Sequence, residues 1–597
     1  CYIVLYSWLI LSCHNAPKNQ TDARNKDGET ALHWAMRSGP TSLISVTTLL
    51  QDGARPNIFD NHNRRPLDVA ALGFRSDATG ANIAPELNLD HVRTMRAAFL
   101  EASVSCRTLV LHHPECGEHI PKSDRDWEVP DRIKAIMDLI TSSAQFHTRE
   151  ITISTEFERA SLELLSRVHS TEYLAFVNDL SKELEKRAED DGEESGKVVP
   201  FTPMVQRTIM KGTVEVKKGS HSDTSFSAGS LRAARRAAGA VQHAVDCVLM
   251  NRNRNAFCVV RPPGHHAGIN GLLSNSESCG FCIFNNIAAG ALHALSPRHS
   301  ARCERCAIVD IDVHHGNGTE EIVRQCHDPA RLLFFSVHLY DRERTSSGTE
   351  DMDWKFYPGT GDEDDVARNV INVPVAPLWR EKELKDATSG VTGTNNEGAS
   401  RYHNTRFKKK ELAARARQAA AAVASGDDKD HEHDDDNESL EKSTHGSSAV
   451  PAPPASPSPP SHYLTGMGRK AYRRAIEHRL LPALRAFNPD LILISAGFDA
   501  ARGDVGNAKH IAGGREKMGL DLDPEDYAWT TQKIMTVADI CCQGRVVSVL
   551  EGGYGRTPSG AVDYPLDKTL FAESAAQHLR ALIDPYNTEL PLARGKE

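Results

Sequence analysis

Two aspartates and a histidine at the end of one apolar stretch are well suited to bind a metal ion. Asp310, Asp312 and His314 alternate with the valines and isoleucines of residues 308–313, so we expect them to share one face of a strand. Asp499, which follows another apolar stretch, is the natural third ligand beside Asp312 and His314. Two carboxylates and one imidazole leave a position open for water and substrate. The imidazole favours zinc, although iron and cobalt accept the same ligands. A merely solvated sheet edge is the alternative, but it would leave unpaired charge in a very apolar strand.

Further polar residues follow turns that contain glycine. His265 and His266 come directly after Pro-Pro-Gly, in which the prolines restrict the backbone. Two imidazoles beside an activated water suggest a general base and a general acid. Tyr554 follows Gly552 and Gly553, and its phenol can donate a hydrogen bond to a developing oxyanion. Together with a metal ion, these groups predict the hydrolysis of an amide or ester.

The elements that must position these residues are predicted strands, each followed by a polar cluster. Nearly continuous apolar strands separated by helices are typical of a parallel sheet that is covered on both faces. Ligands of such sheets bind outside the carboxyl ends of the strands, which is where the clusters lie. The five strands are predicted at residues 257–260, 308–313, 332–337, 491–495 and 546–550.

The composition indicates a large protein with a substantial core. The 597 residues exceed the length of one typical domain, and 40% of them are hydrophobic. A formal net charge of −10 disfavours direct binding to nucleic acid. Thirteen cysteines, an odd number without framework spacing, indicate a reducing compartment. The apolar residues 2–11 are too short to span a membrane, so we expect no membrane association and a location in the nucleus and/or cytoplasm.

The N-terminal residues 1–75 contain a repeated pattern of a polar turn followed by a short helix. Leu67 lies 35 residues after Leu32, and residues 30–35 and 65–70 resemble the helix start of ankyrin repeats. We predict a truncated, all-α ankyrin array, with further repeats before residue 1, because two repeats are too few for a stable stack. Such an array is either a platform for protein partners or a packed appendage. A connector with one helix is predicted at 76–104.

The remaining chain is predicted to form one domain with a long insertion. The domain covers residues 105–585 and a tail follows at 586–597. Residues 390–460 combine basic, alanine-rich, acidic and proline-rich segments that cannot form a core, so we predict a disordered insertion. Its basic cluster at 406–410 is either a nuclear import signal or ordinary solvated charge.

Five motifs of the predicted domain are Arg-Pro-Pro-Gly-His-His-Ala at 261–267, Gly-Phe-Cys-Ile-Phe-Asn-Asn at 280–286, Asp-Ile-Asp-Val-His-His-Gly-Asn-Gly-Thr at 310–319, Ser-Ala-Gly-Phe-Asp-Ala-Ala-Arg-Gly-Asp at 495–504 and Leu-Glu-Gly-Gly-Tyr at 550–554. These motifs resemble those of the histone deacetylase family, specifically its zinc-dependent class II branch. The resemblance covers about residues 105–585. It implies the arginase–deacetylase fold, an α/β fold with a central, mainly parallel sheet flanked by helices. It also implies hydrolysis of Nε-acetyl-lysine on histones and/or other acetylated proteins to lysine and acetate, with one catalytic Zn²⁺.

The same resemblance implies a role for each residue of the centre. His266 is the general base and acid, and His265 is its electrostatic partner, oriented by Asp310. Tyr554 is the oxyanion donor. Asn317 stands where class I enzymes have an aspartate behind the second histidine, and a neutral partner should leave that histidine less basic. The implied zinc ligands are those inferred above, Asp312, His314 and Asp499.

Two further sites are implied by the resemblance alone. An acetyl-lysine tunnel would be flanked by Gly280, Phe281 and Tyr357, the last at a position where the family usually has phenylalanine. A monovalent-cation site, with K⁺ as the candidate ion, would use the residues Asp310, Asp312, His314, Ser336 and Val337.

Several alternatives remain open at this point. Acetylpolyamine amidohydrolases of the family carry an acidic residue after the Gly-Asp that corresponds to residues 503–504, whereas Val505 and Gly506 follow here, so acetyl-lysine in proteins is preferred. A catalytically weak scaffold that acts through the ankyrin repeats is a second alternative. A structural zinc site is suggested by the two Cys-x-x-Cys pairs at residues 279–282 and 303–306. Arginase-like hydrolysis would need further Asp and His ligands that the chain lacks.

Overall fold

The structure is a computed structural model that describes most of the chain but not all of it. The predictions for the insertion 390–460 and its basic cluster lie outside the described residues, as do those for residues 1–20, 71–88 and 587–597. The described residues are 21–62, 64–70, 89–123, 126–142, 146, 150–191, 198–201, 223–271, 278–344, 352–354, 356–379, 467–511, 515–558 and 565–586.

An eight-stranded sheet is the centre of the fold. Including the strands outside this sheet, the described residues form the strands β1 (Thr108–Leu111), β2 (Ile151–Ser154), β3 (Val198–Pro200), β4 (Ser225–Ser227), β5 (Asn255–Cys258), β6 (Cys306–Asp310), β7 (Leu332–Leu339), β8 (Arg342–Arg344), β9 (Met352–Trp354), β10 (Val370–Val375), β11 (Leu491–Ala496), β12 (Ala508–Ile511), β13 (Arg515–Met518) and β14 (Val546–Leu550). The central sheet has the order β10-β7-β6-β11-β14-β5-β1-β2, and all its neighbouring strands are parallel. The pairs β3–β4, β8–β9 and β12–β13 are small antiparallel sheets.

Helices connect the strands. They are α1 (Ala31–Arg37), α2 (Leu43–Gln51), α3 (Leu89–Ala102), α4 (Asp131–Ser142), α5 (Leu162–Leu165), α6 (Thr171–Asp191), α7 (Ser230–Leu249), α8 (Asn286–Ala294), α9 (Asn317–Arg324), α10 (Gly468–Ala475), α11 (Leu481–Phe487), α12 (Pro524–Cys542) and α13 (Thr569–Ile583), with a π-helical turn at Ile476–Leu480 between α10 and α11. None of the helices in this part of the chain is long and apolar enough to cross a membrane.

Both faces of the central sheet are buried. On β11, Ile492 and Ile494 belong to an apolar cluster with α4 and α10 to α13, whereas Leu491 and Leu493 belong to a cluster with α7 and α8. Because successive strand residues point to opposite faces, a strand that is covered on both faces is expected to be apolar at nearly every residue. The predicted α/β fold with a parallel sheet between helices is therefore confirmed, and the central sheet is entirely rather than mainly parallel.

One prediction about the sheet is wrong. The alternating pattern of residues 308–313 predicted a strand up to Val313, but β6 ends at Asp310. The reason is local hydrogen bonding: Asp310 Oδ1 accepts from the backbone N–H of Asp312 (3.1 Å), and Asp312 Oδ1 accepts from that of His314 (2.8 Å). Aspartate side chains that bind the backbone two residues later favour turns over strands. Asp310 therefore lies in the sheet, and Asp312 and His314 lie in the turn after it.

The N-terminal segment, residues 21–70 together with α3, has its own small apolar core. Leu32 of α1 and Leu67 of a 3₁₀ turn, which are equivalent in the sequence pattern, are both buried there with Phe99 of α3. Helices α1, α2 and α3 agree with the predicted helices, but a short 3₁₀ turn (Pro66–Val69) stands where the second repeat was predicted to start a helix, and the identification of the segment as an ankyrin array stays a prediction.

Buried charges join this segment to the amino-terminal ends of the strands. Arg96 of α3 lies 3.8 Å from Glu150, which directly precedes β2, and 3.6 Å from Asp584. Arg580 of α13 reaches the same glutamate at 3.1 Å. We call this contact region, with the charges described next, the seam.

A second set of paired charges completes the seam. Arg65 binds Asp68 at 2.6 Å, and Arg254, next to the start of β5, binds Asp539 of α12 at 2.7 Å. All four side chains are buried. Although burial lowers the pKa of Arg65, the charges of Asp68 and Asp539 outweigh it, and the pKa is raised. Tyr586 also donates a hydrogen bond to Asp539 (2.9 Å).

Candidate active site

The candidate catalytic residues lie where four neighbouring strands end. Asp312 and His314 follow β6, and Asp499 follows β11, which is hydrogen-bonded to β6. Tyr554 follows β14, and the pair 265–266 follows β5, the next strand in the sheet. The parallel order of the strands therefore brings segments up to 290 residues apart in the chain to one edge.

Asp312, His314 and Asp499 form a compact set of ligands. One ligand atom from each lies within 4.8 Å of the other two. His314 Nδ1 is 3.1 Å from Asp312 Oδ1 and 3.0 Å from Asp499 Oδ2, so one ring nitrogen faces an oxygen of each carboxylate. The other oxygens are held by the backbone: Gly552 N–H donates to Asp312 Oδ2 (2.8 Å), and Val313 N–H donates to Asp499 Oδ1 (3.0 Å).

The electrostatics of this set fit a divalent cation. Burial raises the pKa of Asp499, and the negative charge of Asp312 raises it further. Burial opposes protonation of His314, but hydrogen bonds from its ring to Asp312 and Asp499 raise its pKa to about 9. Two buried carboxylates thus face each other with one imidazole between them. Two oxygens and one nitrogen are a suitable set for zinc, with a fourth position left open.

Backbone forms the wall behind these carboxylates. A Cβ atom at Gly497 would overlap the carboxylate of Asp312, and one at Gly552 would overlap that of Asp499. Glycine is therefore required at both positions for the strand ends to approach the ligands this closely.

The two adjacent histidines have different environments. His265 Nδ1 lies 2.9 Å from Asp310 Oδ2, and although burial lowers its pKa, Asp310 and Asp312 raise it to about 10. His266 Nδ1 lies 2.7 Å from Asn317 Oδ1. Burial lowers the pKa of His266 well below its usual value, and the neighbouring His265 lowers it further. Asn317 Oδ1 can only accept, so the proton of neutral His266 is on Nδ1 and its Nε2 is free to take another.

Tyr554 is buried beside the ligand set. Burial raises the pKa of its phenol well above the usual value, and the charges of Asp499 and Asp312 add to this. The phenol is therefore neutral and able to donate a hydrogen bond. Asp504 Oδ2 fixes the backbone by accepting from Tyr554 N–H (2.9 Å) and Gly555 N–H (2.7 Å). The guanidinium of Arg132 lies 5.0 Å from the centre of the tyrosine ring.

A cavity of about 540 Å³ leads to these residues. Gly280, Phe281 and Tyr357, the predicted tunnel residues, line it together with His266 and Tyr554. The Phe281 ring lies 5.4 Å from that of Tyr554, and the Tyr357 ring lies 4.9 Å from that of His266. The Tyr357 hydroxyl donates a hydrogen bond to the carbonyl oxygen of Ser278 (3.1 Å), which ties two walls of the cavity together.

The other predicted sites are placed as follows. Ser336 of β7 is paired with Asp310 of β6 in the sheet, and Val337 follows it, so the residues of the predicted K⁺ site are neighbours; potassium binding stays a prediction. The cysteines of the two Cys-x-x-Cys pairs are buried, but none belongs to a metal-ligand group found among the described residues.

Sequence reasoning missed several residues at the mouth of the cavity. Lys122, Asp126 and Trp127 line it from the loop after β1, and Asp223 lines it from the segment before β4. The Trp127 ring lies 5.6 Å from the ring of Tyr554. These loops have no periodic pattern, so nothing local signals their position. Asp504 could have been found, because it ends one of the motifs.

Comparisons with known proteins match this chain to one family and to several curated relatives. A family model described as "Histone deacetylase domain" matches residues 126–394 and 455–562. "Type-2 histone deacetylase 2" of Dictyostelium discoideum is 29% identical over 493 residues, which are 82% of this chain and 21% of the relative. "Type-2 histone deacetylase 1" of the same organism is 32% identical over 464 residues, 75% of this chain and 28% of the relative. Mouse "Polyamine deacetylase HDAC10" is 25% identical over 453 residues, 75% of this chain and 45% of the relative. The chain thus spans between a fifth and a half of the length of these curated relatives.

Proposed function

This chain belongs to the histone deacetylase domain family, and we propose that it is a zinc-dependent lysine deacetylase that hydrolyses Nε-acetyl-lysine in proteins. The observation that carries the proposal is the arrangement at the base of the cavity. A three-residue ligand set, a histidine with a free Nε2 and a neutral phenol lie together at one cavity, which His266, His314 and Tyr554 line. Hydrolysis of an unactivated amide needs all three: an activated water, a group that moves protons and a donor to the oxyanion.

Asp312, His314 and Asp499 would hold the metal ion. A bound divalent ion would supply Lewis-acid polarisation of the acetyl carbonyl and lower the pKa of water. The chain contributes what the ion alone cannot: fixed ligand positions, through the backbone donors of Val313 and Gly552, and a buried environment.

His266 is suited to move the proton in both steps. Its low pKa keeps the imidazole neutral before the reaction, with Asn317 fixing the proton on Nδ1. Nε2 accepts a proton from the attacking water and later gives it to the departing lysine amine. The protonated His265 next to it, paired with Asp310, opposes a long-lived positive charge on His266, which favours the second transfer.

Tyr554 stabilises the negative oxygen that forms when water attacks the acetyl group. A buried, neutral donor is worth more at this point than in water, because no solvent competes with it. Asp504 positions the tyrosine through its backbone, and Arg132 and Phe281 hold the ring in place from two sides.

The walls of the cavity support a long, flexible acyl-amine as substrate. Phe281 and Tyr357 offer apolar ring surface to an alkyl chain. The alternative substrate is an acetylated polyamine, for which two features speak: the relative that is named a polyamine deacetylase, and the carboxylates of Asp126 and Asp223 at the mouth, which suit a cationic amine. Val505 and Gly506 provide no acidic side chain after Asp504, and for that reason acetyl-lysine in proteins is the preferred substrate class.

Acetate release from acetyl-lysine peptides and from an acetylated polyamine tests the proposal. The zinc-loaded full chain should release acetate faster from the peptide. His266→Ala and Tyr554→Phe should each lower kcat/KM by about 10²-fold or more, because a group that acts on the reacting atoms is lost. The exposed His62→Ala is the matched control and should retain wild-type rates. Wild-type activity of the His266 variant would refute the mechanism, and preference for the polyamine would refute the substrate class.

A further inference from the structure

A second cluster of ligand side chains lies away from the cavity, on the helices that cover the opposite side of the sheet from α12 and α13. Asp246 is in the last turn of α7, His293 is in the last turn of α8, and His299 ends the 3₁₀ turn Pro297–His299. One ligand atom from each lies within 4.8 Å of the other two. Asp246 Oδ1 is 2.8 Å from His293 Nε2 and 2.7 Å from His299 Nε2.

The chemistry of this cluster suits a divalent transition metal. Two imidazole nitrogens and one carboxylate oxygen are ligands that zinc accepts, with a fourth position left for water. The last turns of two helices converge here, and the partial negative charge of a helix carboxyl end favours a cation. The three residues come from three different elements, which brings together segments that are separate in the fold.

Burial and access are also compatible with an ion. The side chains of His293 and His299 are buried, whereas that of Asp246 is 16% exposed, so an ion can enter from the carboxylate side. The guanidinium of Arg298, which is largely exposed, lies 3.5 Å from Asp246 Oδ2. It thus leaves Oδ1, the oxygen that faces both imidazoles, for the ion.

We propose that Asp246, His293 and His299 bind a second Zn²⁺ ion, more weakly than the catalytic set does. The weakness follows from two observations. This set has one carboxylate where the catalytic set has two, and Arg298 brings a positive charge close to it. His299 Nδ1 has no hydrogen-bond partner among the described residues, and the loss of such an outer partner typically lowers metal affinity about 10- to 100-fold. The second ion is therefore exchangeable and fills at higher free zinc.

A structural effect follows from the position of the cluster. An ion there connects the carboxyl ends of α7 and α8. Helix α8 begins a few residues after the predicted tunnel residue Phe281. At this end, Asn285 donates a hydrogen bond to the carbonyl oxygen of Ala267 (3.0 Å), and Asn286 donates one to that of Pro262 (3.1 Å). A ligand that binds only the folded state stabilises it. Thermal unfolding should therefore shift upward a second time as free zinc rises beyond the level that saturates activity.

Equilibrium dialysis of the full chain against buffered Zn²⁺, with metal counted per chain, tests the proposal. Wild-type protein should bind two ions with separated affinities. Asp246→Asn, which keeps the size of the side chain, should bind only the tighter ion and retain deacetylation. Asp499→Asn should bind only the weaker one. His243→Gln, on the same helix three residues before Asp246 and outside the cluster, is the control and should bind two.

Two results would overturn the proposal. The first is a wild-type chain that binds a single ion even at free zinc 100-fold above the dissociation constant of that ion. In that case Asp246 only accepts hydrogen bonds from the two imidazoles. The second is an Asp246→Asn variant that still binds two ions, which would place the weaker ion elsewhere on the surface. The wild-type count decides the question even if a variant does not fold. Co²⁺ loading gives an independent readout, because the visible spectrum of Asp499→Asn should report an ion with two nitrogen ligands and one oxygen ligand, whereas that of Asp246→Asn should report only the catalytic set with one nitrogen and two oxygens.

Discussion

The catalytic centre and the seam both bury charged side chains, but they balance them differently. At the seam each buried carboxylate is matched by a guanidinium, as in Arg65–Asp68 and Arg254–Asp539. At the catalytic centre Asp312 and Asp499 face each other, with the imidazole of His314 between them. Buried charges that are fully matched within the chain hold elements together, whereas the excess of carboxylate over cationic side chains at the catalytic centre favours a cation from outside. The seam lies at the amino-terminal ends of β2 and β5, whereas the catalytic centre lies at the carboxyl ends of β5, β6, β11 and β14, so fold stability and chemistry are served by opposite edges of the parallel sheet.

The largest effect is expected from removing one of the unmatched charges. Asp499→Asn should lower activity by at least about 10³-fold, because a metal ligand is lost and Lewis-acid assistance is worth several kcal/mol. The same variant should leave the stability of the metal-free protein unchanged or higher near neutral pH. Deacetylation rates, bound metal and thermal unfolding after metal removal give the three measurements.

The reason for the second expectation is the pKa of Asp499. Burial and the charge of Asp312 raise it above the unfolded value of about 3.9. A raised pKa of an acid in the folded state stabilises the fold at low pH, and this stability is lost as pH rises through the folded pKa. Asparagine does not ionise, so the loss with rising pH should be smaller in the variant. A large drop in the melting temperature of metal-free Asp499→Asn would contradict the contrast between the two regions.

At the seam we expect the opposite result, a loss of stability with little change in activity. Asp539→Ala leaves the buried guanidinium of Arg254 without its carboxylate and removes the acceptor of Tyr586. Breaking a buried ion pair from one side destabilises a protein by about 3–5 kcal/mol. The free energy of unfolding in urea should fall by that amount, while kcat/KM of the folded enzyme should stay within twofold. Glu163→Ala, which breaks an exposed pair with Arg167, is the control and should leave stability unchanged.

The smallest effect concerns a neutral hydrogen bond at the cavity wall. Tyr357→Phe removes the bond to the carbonyl oxygen of Ser278 and leaves the ring in place. A neutral hydrogen bond contributes about 0.5–1.5 kcal/mol, so KM for an acetyl-lysine peptide should rise about two- to tenfold. Since the hydroxyl does not face the reacting atoms, kcat should change by less than twofold, as steady-state kinetics will measure. A large fall in kcat would instead place the hydroxyl among the groups that act on the transition state.

The sequence predicted those parts of the structure that local patterns encode. Strand β11 is apolar from Leu491 to Ile494 because both of its faces are buried, and such nearly continuous apolar runs indicated a parallel sheet. The convergence of Asp312, His314 and Asp499 followed from a general property of parallel sheets, whose strand ends share one edge. Their roles as zinc ligands stay a prediction until metal is measured.

The parts of the fold and of the site that the sequence did not predict depend on side-chain contacts that no local pattern reveals. The end of β6 was predicted three residues too late, because the hydrophobic alternation continues while the aspartates bind the backbone of the turn. The seam pairs Arg254 with Asp539, which are 285 residues apart in the chain. Trp127 reaches Tyr554 from a loop without regular structure. Nothing near these residues in the sequence specifies their partners.

The glycine wall behind the catalytic carboxylates has a consequence for the size of ion that can bind. Because backbone at Gly497 and Gly552 occupies the space next to Asp312 and Asp499, these carboxylates cannot move apart in that direction. Calcium needs six to eight oxygen ligands at about 2.3–2.6 Å, and such a shell requires room on every side. We therefore expect the ligand set to bind a small ion with four or five ligands in preference to calcium, because space rather than repulsive charge sets the limit.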